Sequence, residues 1–243
     1  MGDRPGRNCS TTYSCGGVSP FIAALHALPN INQLAVHDIT DPAQPVMVEG
    51  YPGLAKYVWN NRSAPLLATF LSSWLKTHEF DGLYMDGFET GSYGIKQATG
   101  FQVPGRKYDL DGDGVADTLT QFEDSYFAWN SAFVSAVRQS LGPQAIMLAN
   151  SAGSNSHPDL SGITIEMEAC TGGAAGEQKC ADALNGQHLA TVSSGIAPLS
   201  VLWLTHSESM TPAQQCTEVA ALQKRYPWTQ AGTDFFDGSN IVC

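Results

Sequence analysis

The segment FDGLYMDGF, residues 80–88, decides the fold prediction for this chain. It follows a stretch with helical periodicity, and it is typical of a short buried strand that ends on a carboxylate. Side chains alternate between the two faces of a strand, so Leu83 and Met85 share one face. Tyr84 and Asp86 share the other. With the apolar pair against helices, Asp86 points into a sheet or barrel at the strand's C-terminal end, where α/β barrels carry catalytic groups.

A second strand of this kind is predicted at residues 162–168, with the sequence GITIEME. Its apolar residues share one face, and its acidic residues, Glu166 and Glu168, share the other. Ionised carboxylates are rarely buried without a partner or a task. Two strands that aim carboxylates at one space predict acid/base catalysis by Asp86 together with Glu166 or Glu168. The pattern does not choose between the two glutamates.

Strands and helices alternate along the chain. Strands are predicted at residues 33–39, 80–88, 145–149, 162–168, 199–205 and 234–242, and helices at 21–28, 63–78, 120–141, 180–192 and 211–226. Residues 1–20 and 89–119 are predicted loops, and residues 40–60 are turn-rich. The helix at 120–141 is predicted to begin with a capping box formed by Thr120 and Glu123.

Apolar strands that alternate with helices predict an α/β fold with a parallel sheet covered by helices, in a single domain over residues 1–243. A (β/α)8 TIM-type barrel normally takes about 250 residues. Six strands are recognised rather than eight, so either two short strands are missed or the barrel is incomplete at its N-terminus. An open doubly wound sheet is the alternative, but the sequence has no dinucleotide-binding fingerprint or P-loop to support it.

The segment DLDGDGVAD, residues 109–117, has the spacing of a calcium loop. Loops of the EF-hand type place oxygen ligands at positions 1, 3, 5 and 9, a glycine at position 6 and a carbonyl ligand at position 7. The predicted Ca²⁺ ligands are Asp109, Asp111, Asp113, the carbonyl of Val115, and Asp117. Position 12 is Thr120 instead of glutamate, which weakens the site. The alternative is a solvated acidic loop, in which four neighbouring carboxylates repel each other.

Other polar and aromatic residues lie at or near the ends of predicted strands and are candidates for contacts with a sugar. They are Tyr84, Asn150, His37, Asp38, Trp203 and His206. The polar ones are equally consistent with satisfied structural groups, and aromatic residues lie more often in a core than in a binding site.

Composition narrows the possible partners and the compartment. The net charge of −11 argues against nucleic acid and anionic membranes, and it suits a neutral or cationic ligand or bound cations. No apolar run in the sequence is long enough to span a membrane. Charged residues make up only 14% of the chain, and this low share suits a secreted protein. Residues 1–7 are polar and unlike a signal peptide, so the chain is expected to be a processed or truncated form. It is expected to act as a monomer.

The six cysteines also suit an oxidising compartment. Their local spacing favours the disulfides Cys9–Cys15 and Cys170–Cys180, which leaves Cys216–Cys243. Free buried thiols are the alternative. The sequence contains no CxxC pair of the kind that binds zinc.

A series of motifs runs from Tyr51-Pro52-Gly53 through FDGLYMD at 80–86, DLDGDG at 109–114 and Trp129 to Ala149-Asn150 and Glu166. This series resembles secreted TIM-barrel glycoside hydrolases related to the endo-α-1,4-polygalactosaminidases, over about residues 51–168. The resemblance implies a barrel, a carbohydrate substrate and carboxylate catalysis, with Asp86 and Glu166 in the matching positions. The N-terminal strands of that family are short or absent in this chain, and Glu168 is an alternative second carboxylate.

The sequence therefore predicts a secreted barrel glycoside hydrolase with a calcium-stabilised loop over its active face. Two alternatives stay open. One is a non-catalytic carbohydrate-binding protein on a degenerate barrel, and the other is a calcium-dependent structural or adhesion module.

Overall fold

The structure is a computed structural model of the chain, and it forms two compact units. It describes residues 24–25, 27–29, 34, 36–45, 47–51, 54–57, 61–85, 107–111, 113–150, 157–166, 174–199, 201–204, 211–225 and 230–233. The first unit comprises residues 1–79 and 92–140, and the second comprises residues 80–91 and 141–243. None of the helices in the described part of the chain is long and apolar enough to cross a membrane.

The first described residues, 24–25, are helical, and two short antiparallel hairpins follow them in the first unit. Strand β1 (His37–Asp38) pairs with β2 (Asp41–Pro45), and β3 (Met47–Tyr51) pairs with β4 (Leu54–Tyr57). The prediction of a strand over residues 33–39 was wrong in length. Of the described residues in that range, only His37 and Asp38 are extended. The turn-rich prediction for residues 40–60 missed β2, β3 and β4. The segment 40–60 contains short hairpin strands joined by tight turns, which explains its turn-rich sequence.

Helix α1 (Ala64–Thr77) follows a 3₁₀ turn at Asn61–Ser63 and agrees with the predicted helix to within one residue at each end. It buries an apolar stripe at helical spacing that consists of Ala64, Leu67, Ala68, Leu71 and Leu75. The helix ends where the His78 amide donates to the Trp74 carbonyl at 3.1 Å and Glu79 adopts a left-handed φ of 55°. Glycine is the residue usually found at that position, because a side chain there is strained.

Helix α2 (Leu119–Leu141) begins with a capping box, but not the predicted one. The Thr118 hydroxyl accepts from the Gln121 amide at 3.3 Å, and the Gln121 side-chain oxygen accepts from the Thr118 amide at 3.0 Å. The box is therefore Thr118–Gln121, and the prediction of Thr120 and Glu123 was wrong. The true cap lies two residues earlier because Thr118, not Thr120, precedes the first helical residue.

Helices α1 and α2 run in the same direction. The Trp129 indole donates to the Ser63 hydroxyl at the start of α1, at 2.7 Å. The Lys76 ammonium near the end of α1 donates to the Ser140 carbonyl near the end of α2, at 2.6 Å. Successive helices that connect parallel strands have this relative direction.

The second unit contains a five-stranded sheet in which every neighbouring pair is parallel. Its strands are β5 (Gly82–Met85), β6 (Ile146–Asn150), β7 (Gly162–Glu166), β8 (Val201–Leu204) and β9 (Gln230–Thr233), and their order in the sheet is their order in the chain. Helix α3 (Ala174–Ser193) connects β7 to β8 and contacts β7, and α4 (Pro212–Arg225) connects β8 to β9 and contacts both.

A parallel sheet covered by helices was the sequence prediction, and this unit has the parallel sheet. A doubly wound sheet reverses its strand order at a switch point, whereas these five strands follow one another without a reversal. The closed barrel itself stays a prediction. Strand β9 was missed by the sequence reasoning, which put the last strand at residues 234–242, outside the described residues. Helix α3 begins six residues before the predicted start at residue 180.

A buried polar network fixes the segment that leads into β7. The side-chain oxygen of Gln187, on α3, accepts from the His157 amide at 2.9 Å, and its NH2 group donates to the His157 carbonyl at 3.0 Å. Gln187 also donates to the Thr191 hydroxyl at 2.8 Å, and that hydroxyl donates to the Leu160 carbonyl. Both Gln187 and Thr191 are fully buried. The network therefore ties α3 to the backbone before β7, where an unpaired amide would be costly.

We expect the stability of the protein to fall as the pH drops below about 6.5, partly through His157. Burial lowers the pKa of His157, and the charge of Asp159 opposes that effect. The folded state therefore holds His157 neutral while the unfolded state gains a proton, at a cost of at most about 1.4 kcal/mol per pH unit. Urea unfolding at pH 7.5 and pH 5.5 measures this loss.

The test variant is His157→Gln, which should lose less stability than the wild type between the two pH values. Equal losses in the two proteins would assign the pH dependence to other groups.

Candidate functional site

The parallel sheet brings the two strands of the predicted catalytic pair together with one strand between them. Strands β5 and β7 each pair with β6. In these registers Tyr84 lies opposite Leu148, which lies opposite Gly162, and Asn150 lies opposite Thr164. Glu166, the last residue of β7, lies opposite Trp203 of β8. Partners in a parallel pair share a sheet face, so one face carries Tyr84, Asn150 and Thr164.

The other face of the sheet is an apolar layer. Met85, Met147, Ala149, Ile163 and Ile165 lie on this face and are buried, and Leu83 on the same face is half-buried. The alternation that the sequence predicted for β7 holds, since Ile163 and Ile165 are in this layer. Because the apolar layer takes one face, the polar face is the one available for chemistry.

Tyr84 and Thr164 contact each other across β6. The Thr164 hydroxyl donates to the Tyr84 hydroxyl oxygen at 3.3 Å, and it also lies 3.5 Å from the Ala149 carbonyl oxygen. Thr164 is 1% exposed, whereas Tyr84 is 37% exposed. The Tyr84 hydroxyl is therefore linked to a buried group, while part of the surface of Tyr84 is exposed to solvent.

The predicted carboxylates are only partly within the described part of the chain. Asp86 directly follows β5, and Asp86 and Glu168 lie outside the described residues. Glu166 belongs to β7, where its backbone is placed two residues after Thr164. The choice between Glu166 and Glu168 stays open, as it was from the sequence.

The remaining predicted sugar contacts are divided between the two units. Asn150 ends β6 and is half-buried, and Trp203 lies in β8. His206 lies outside the described residues. His37 and Asp38 belong to β1 of the first unit, in an antiparallel pair with β2. The expectation that they end a parallel strand of the barrel was therefore wrong, because β1 pairs with the short strand that follows it.

Three aspartates of the predicted calcium loop come together. Each of Asp109, Asp111 and Asp113 has a carboxylate oxygen within 4.8 Å of the others. Backbone amides hold these side chains in place: the Asp113 amide donates to Asp111 at 3.1 Å, and the Gly114 amide donates to Asp109 at 2.8 Å. Gly114 has a φ of 85°, which is the sharp turn that position 6 of a calcium loop needs.

The other two predicted ligands have a different environment. A carboxylate oxygen of Asp117 accepts the Leu110 amide, and the Asp117 amide donates to the Tyr108 carbonyl at 2.7 Å. Burial raises the pKa of Asp117, and the charges of Asp111, Asp109 and Asp113 raise it further, while the hydrogen bond from Leu110 opposes both effects. The Val115 amide donates to Asp113 at 2.7 Å. Asp117 thus stabilises the loop through its hydrogen bonds to Leu110 and Tyr108. Its carboxylate is also repelled by the other aspartates of the cluster.

The acidic loop is anchored in the first unit by an aromatic cluster. Tyr108 and Leu110, which flank Asp109, are buried with Val36 and Phe122. Phe122 lies in the first turns of α2, and its ring centroid is 6.3 Å from that of Tyr108. The loop is therefore fixed at both ends: by the cluster where it begins and by the Thr118 cap of α2 where it ends.

Cys180 and Cys216 are both disulfide-bonded. Free thiols were the alternative to disulfides in the sequence reasoning, and they do not apply to these two residues. The predicted pairings involve partners outside the described residues and stay predictions.

No protein-family model matches the chain, and no curated protein is significantly similar to it. The geometry above therefore carries the functional argument.

Sequence reasoning missed the roles of two residues in this region. Thr164 was given no role, and its contact with Tyr84 depends on a register that the sequence does not reveal. Gly82 was quoted only as part of a motif. A Cβ atom there would overlap the backbone of Ile146. A glycine inside a strand is a known sign of such a close backbone approach, so this residue had a readable signal.

Proposed function

We propose that the protein is a secreted glycoside hydrolase that cleaves O-glycosidic bonds of a polysaccharide or oligosaccharide, with Asp86 and Glu166 or Glu168 as its catalytic carboxylates. One observation carries the proposal: the strand that precedes Asp86 and the strand that contains Glu166 lie in the same parallel sheet, separated by β6 alone. Strands two positions apart are about 9.6 Å apart. Side chains that converge from such a distance reach the separations of about 5 to 9.5 Å at which paired carboxylates hydrolyse glycosides.

Other features support a sugar site at this end of the sheet. Ligands of open and closed parallel sheets bind at the carboxyl ends of the strands, where β6 ends on Asn150 and β7 on Glu166. The partly exposed ring of Tyr84 lies on the same face as Asn150. Sequential strand order and the parallel direction of α1 and α2 suit the barrel that the proposal assumes.

The test is a screen for released reducing ends. The panel contains amylose and cello-oligosaccharides as neutral substrates, chitosan and polygalactosamine as cationic substrates, and polygalacturonate as an anionic one. We expect hydrolysis of a neutral or cationic substrate and exclusion of polygalacturonate, because the chain carries a net charge of −11. Binding without hydrolysis would support the carbohydrate-binding alternative. If the protein neither binds nor hydrolyses any of these substrates, both the hydrolase proposal and the carbohydrate-binding alternative are overturned.

We further propose that the loop at residues 109–117 binds one structural Ca²⁺. The clustered oxygens of Asp109, Asp111 and Asp113 and the positive φ of Gly114 support this proposal. A cation among them would offset the repulsion that adds to the effect of burial in raising the pKa of Asp117. The ion would stabilise the loop that leads into the Thr118 cap of α2. It would take no part in bond cleavage.

Chelation is expected to lower the melting temperature by several degrees. A ligand present at a hundredfold excess over its Kd contributes about 2.7 kcal/mol to the folded state, and 1 kcal/mol corresponds to about 2–4 °C in a chain of this size. The measurement is a melting curve in 1 mM Ca²⁺ and in excess EGTA. Asp113→Ala should abolish the difference, and the control Asp182→Ala should retain it. Identical curves for wild-type protein shown to be metal-free would leave the segment as a solvated acidic loop.

A further inference from the structure

We propose that Thr164 is a positioning residue that holds the ring of Tyr84 flat across β6, so that the exposed ring face forms a platform for the apolar face of a pyranose. This inference rests on the glycoside-hydrolase proposal, and it identifies how the site would recognise a sugar ring. The hydrogen bond between Thr164 and Tyr84 links β7 to β5 across β6.

The contact constrains the direction of the Tyr84 side chain. The residues opposite Tyr84 along the sheet are Leu148 and then Gly162, yet the Tyr84 hydroxyl lies 3.3 Å from Thr164, two residues beyond Gly162. The Tyr84 side chain, the 3.3 Å hydrogen bond and the Thr164 side chain together cover the spacing of about 9.6 Å between β5 and β7, so Tyr84 must lean across β6 and toward the carboxyl ends of the strands. A ring that stood upright on β5 would not reach β7. The long axis of the ring therefore runs across β6 toward β7.

Burial shows which end of the link is fixed. Thr164 is 1% exposed and its hydroxyl also approaches the Ala149 carbonyl oxygen of β6, so it is held by the sheet. Threonine has few accessible side-chain rotamers, which adds to its rigidity. Tyr84 is 37% exposed, so more than a third of the residue's surface is open to solvent. A fixed hydroxyl at one end and an exposed aromatic face are the two elements of a preorganised stacking surface.

The chemistry of the surface selects a class of ligand. An aromatic face binds a flat apolar surface, and a pyranose whose axial C–H groups lie on one side offers such a surface. Hydrogen-bonding groups at the rim of the ring, such as the amide of Asn150 in the next strand, would then contact sugar hydroxyls. The platform would contribute to binding rather than to bond cleavage.

Kinetics on the panel substrate that the wild type hydrolyses fastest will test the assignment. Thr164→Val removes the hydroxyl at nearly constant shape, and we expect KM to rise about two- to tenfold, the effect of one hydrogen bond, with kcat within about twofold of the wild type. Thr164→Ser keeps the hydroxyl and should restore most of the affinity. Thr217→Val, an exposed substitution on α4, is the control and should leave KM unchanged.

A double-mutant cycle isolates the link between the two residues. Tyr84→Phe should raise KM as much as Thr164→Val, and the double variant should be no worse than either single variant. Tyr84→Ala, which removes the platform, should be weaker still. Additive effects of Tyr84→Phe and Thr164→Val would overturn the inference, as would a Thr164→Val protein that is folded and has the wild-type KM. Absence of both hydrolysis and binding by the wild type would overturn the function together with the inference.

Discussion

Replacing Asp86 with Asn is expected to lower the rate of hydrolysis by at least about a hundredfold while the protein stays folded. General acid or base groups contribute about 10²- to 10⁴-fold to a rate, and a nucleophile at least as much. The amide has nearly the shape of the carboxylate but neither its charge nor its basicity. Glu166→Gln and Glu168→Gln, measured beside it, should show one variant with a loss of similar size and one with a small loss.

Asp81→Asn is the matched control for this series. Asp81 belongs to the same segment and is exposed, and its backbone carbonyl accepts the Ile146 amide at 3.0 Å. The substitution changes its side chain alone, so hydrolysis should stay within about twofold of the wild-type rate. A folded Asp86→Asn protein with wild-type activity would refute the catalytic assignment. Equal mild losses from both glutamate variants would mean that neither glutamate is the partner.

The elements with strong hydrophobic periodicity were predictable from the sequence. Helix α1 has apolar residues at helical spacing and was predicted to within one residue. Strands β6 and β7 have apolar runs, and the alternation in β7 gave its apolar face correctly. These predictions succeeded because burial of one face decides the local structure and leaves a period in the sequence.

Elements defined mainly by pairing were not predictable. Strand β2 has the sequence DPAQP, and its two prolines argue against a strand by propensity. Strand β9, QAGT, has small and polar residues and is recognised only by its register with β8. The cap of α2 was misplaced because two threonine boxes overlap there, and the sequence does not show which one the helix uses.

The residue types of the candidate site could be read from the sequence, but their arrangement in space could not. Carboxylates at strand ends and a DxDxDG spacing are readable, because a single chemical need fixes the residue types. The contact between Tyr84 and Thr164 depends on the registers of two strand pairs, and local sequence does not determine a register. The pairing of the strand that contains His37 and Asp38 was missed for the same reason, since that strand pairs with β2 in an antiparallel hairpin.

Gly82→Ala is expected to be the most destabilising single-methyl change in the sheet, with a loss of more than about 3 kcal/mol in the free energy of unfolding. Gly82 begins β5 and lies opposite Ile146 of β6. A Cβ atom at this position would overlap the carbonyl oxygen, carbonyl carbon and Cα of Ile146, all of which are backbone atoms. A flexible side chain could turn aside, but a paired backbone can only move away. Relief therefore requires β5 and β6 to separate where their pairing begins.

Urea unfolding of Gly82→Ala beside Gly142→Ala separates overlap from ordinary glycine strain. Gly142 has a φ of 87°, and a methyl group added to it would meet no neighbouring atom within 4 Å, so alanine there should cost only the strain of a left-handed backbone, about 1–2 kcal/mol. The Gly82→Ala protein should lose more than that, or fail to fold, and should lose hydrolysis in parallel with structure. Asp86→Asn, by contrast, should lose hydrolysis alone. A Gly82→Ala protein as stable as the wild type would mean that β5 and β6 do not approach as closely as the structure has them, and it would remove the shared sheet on which the catalytic proposal rests.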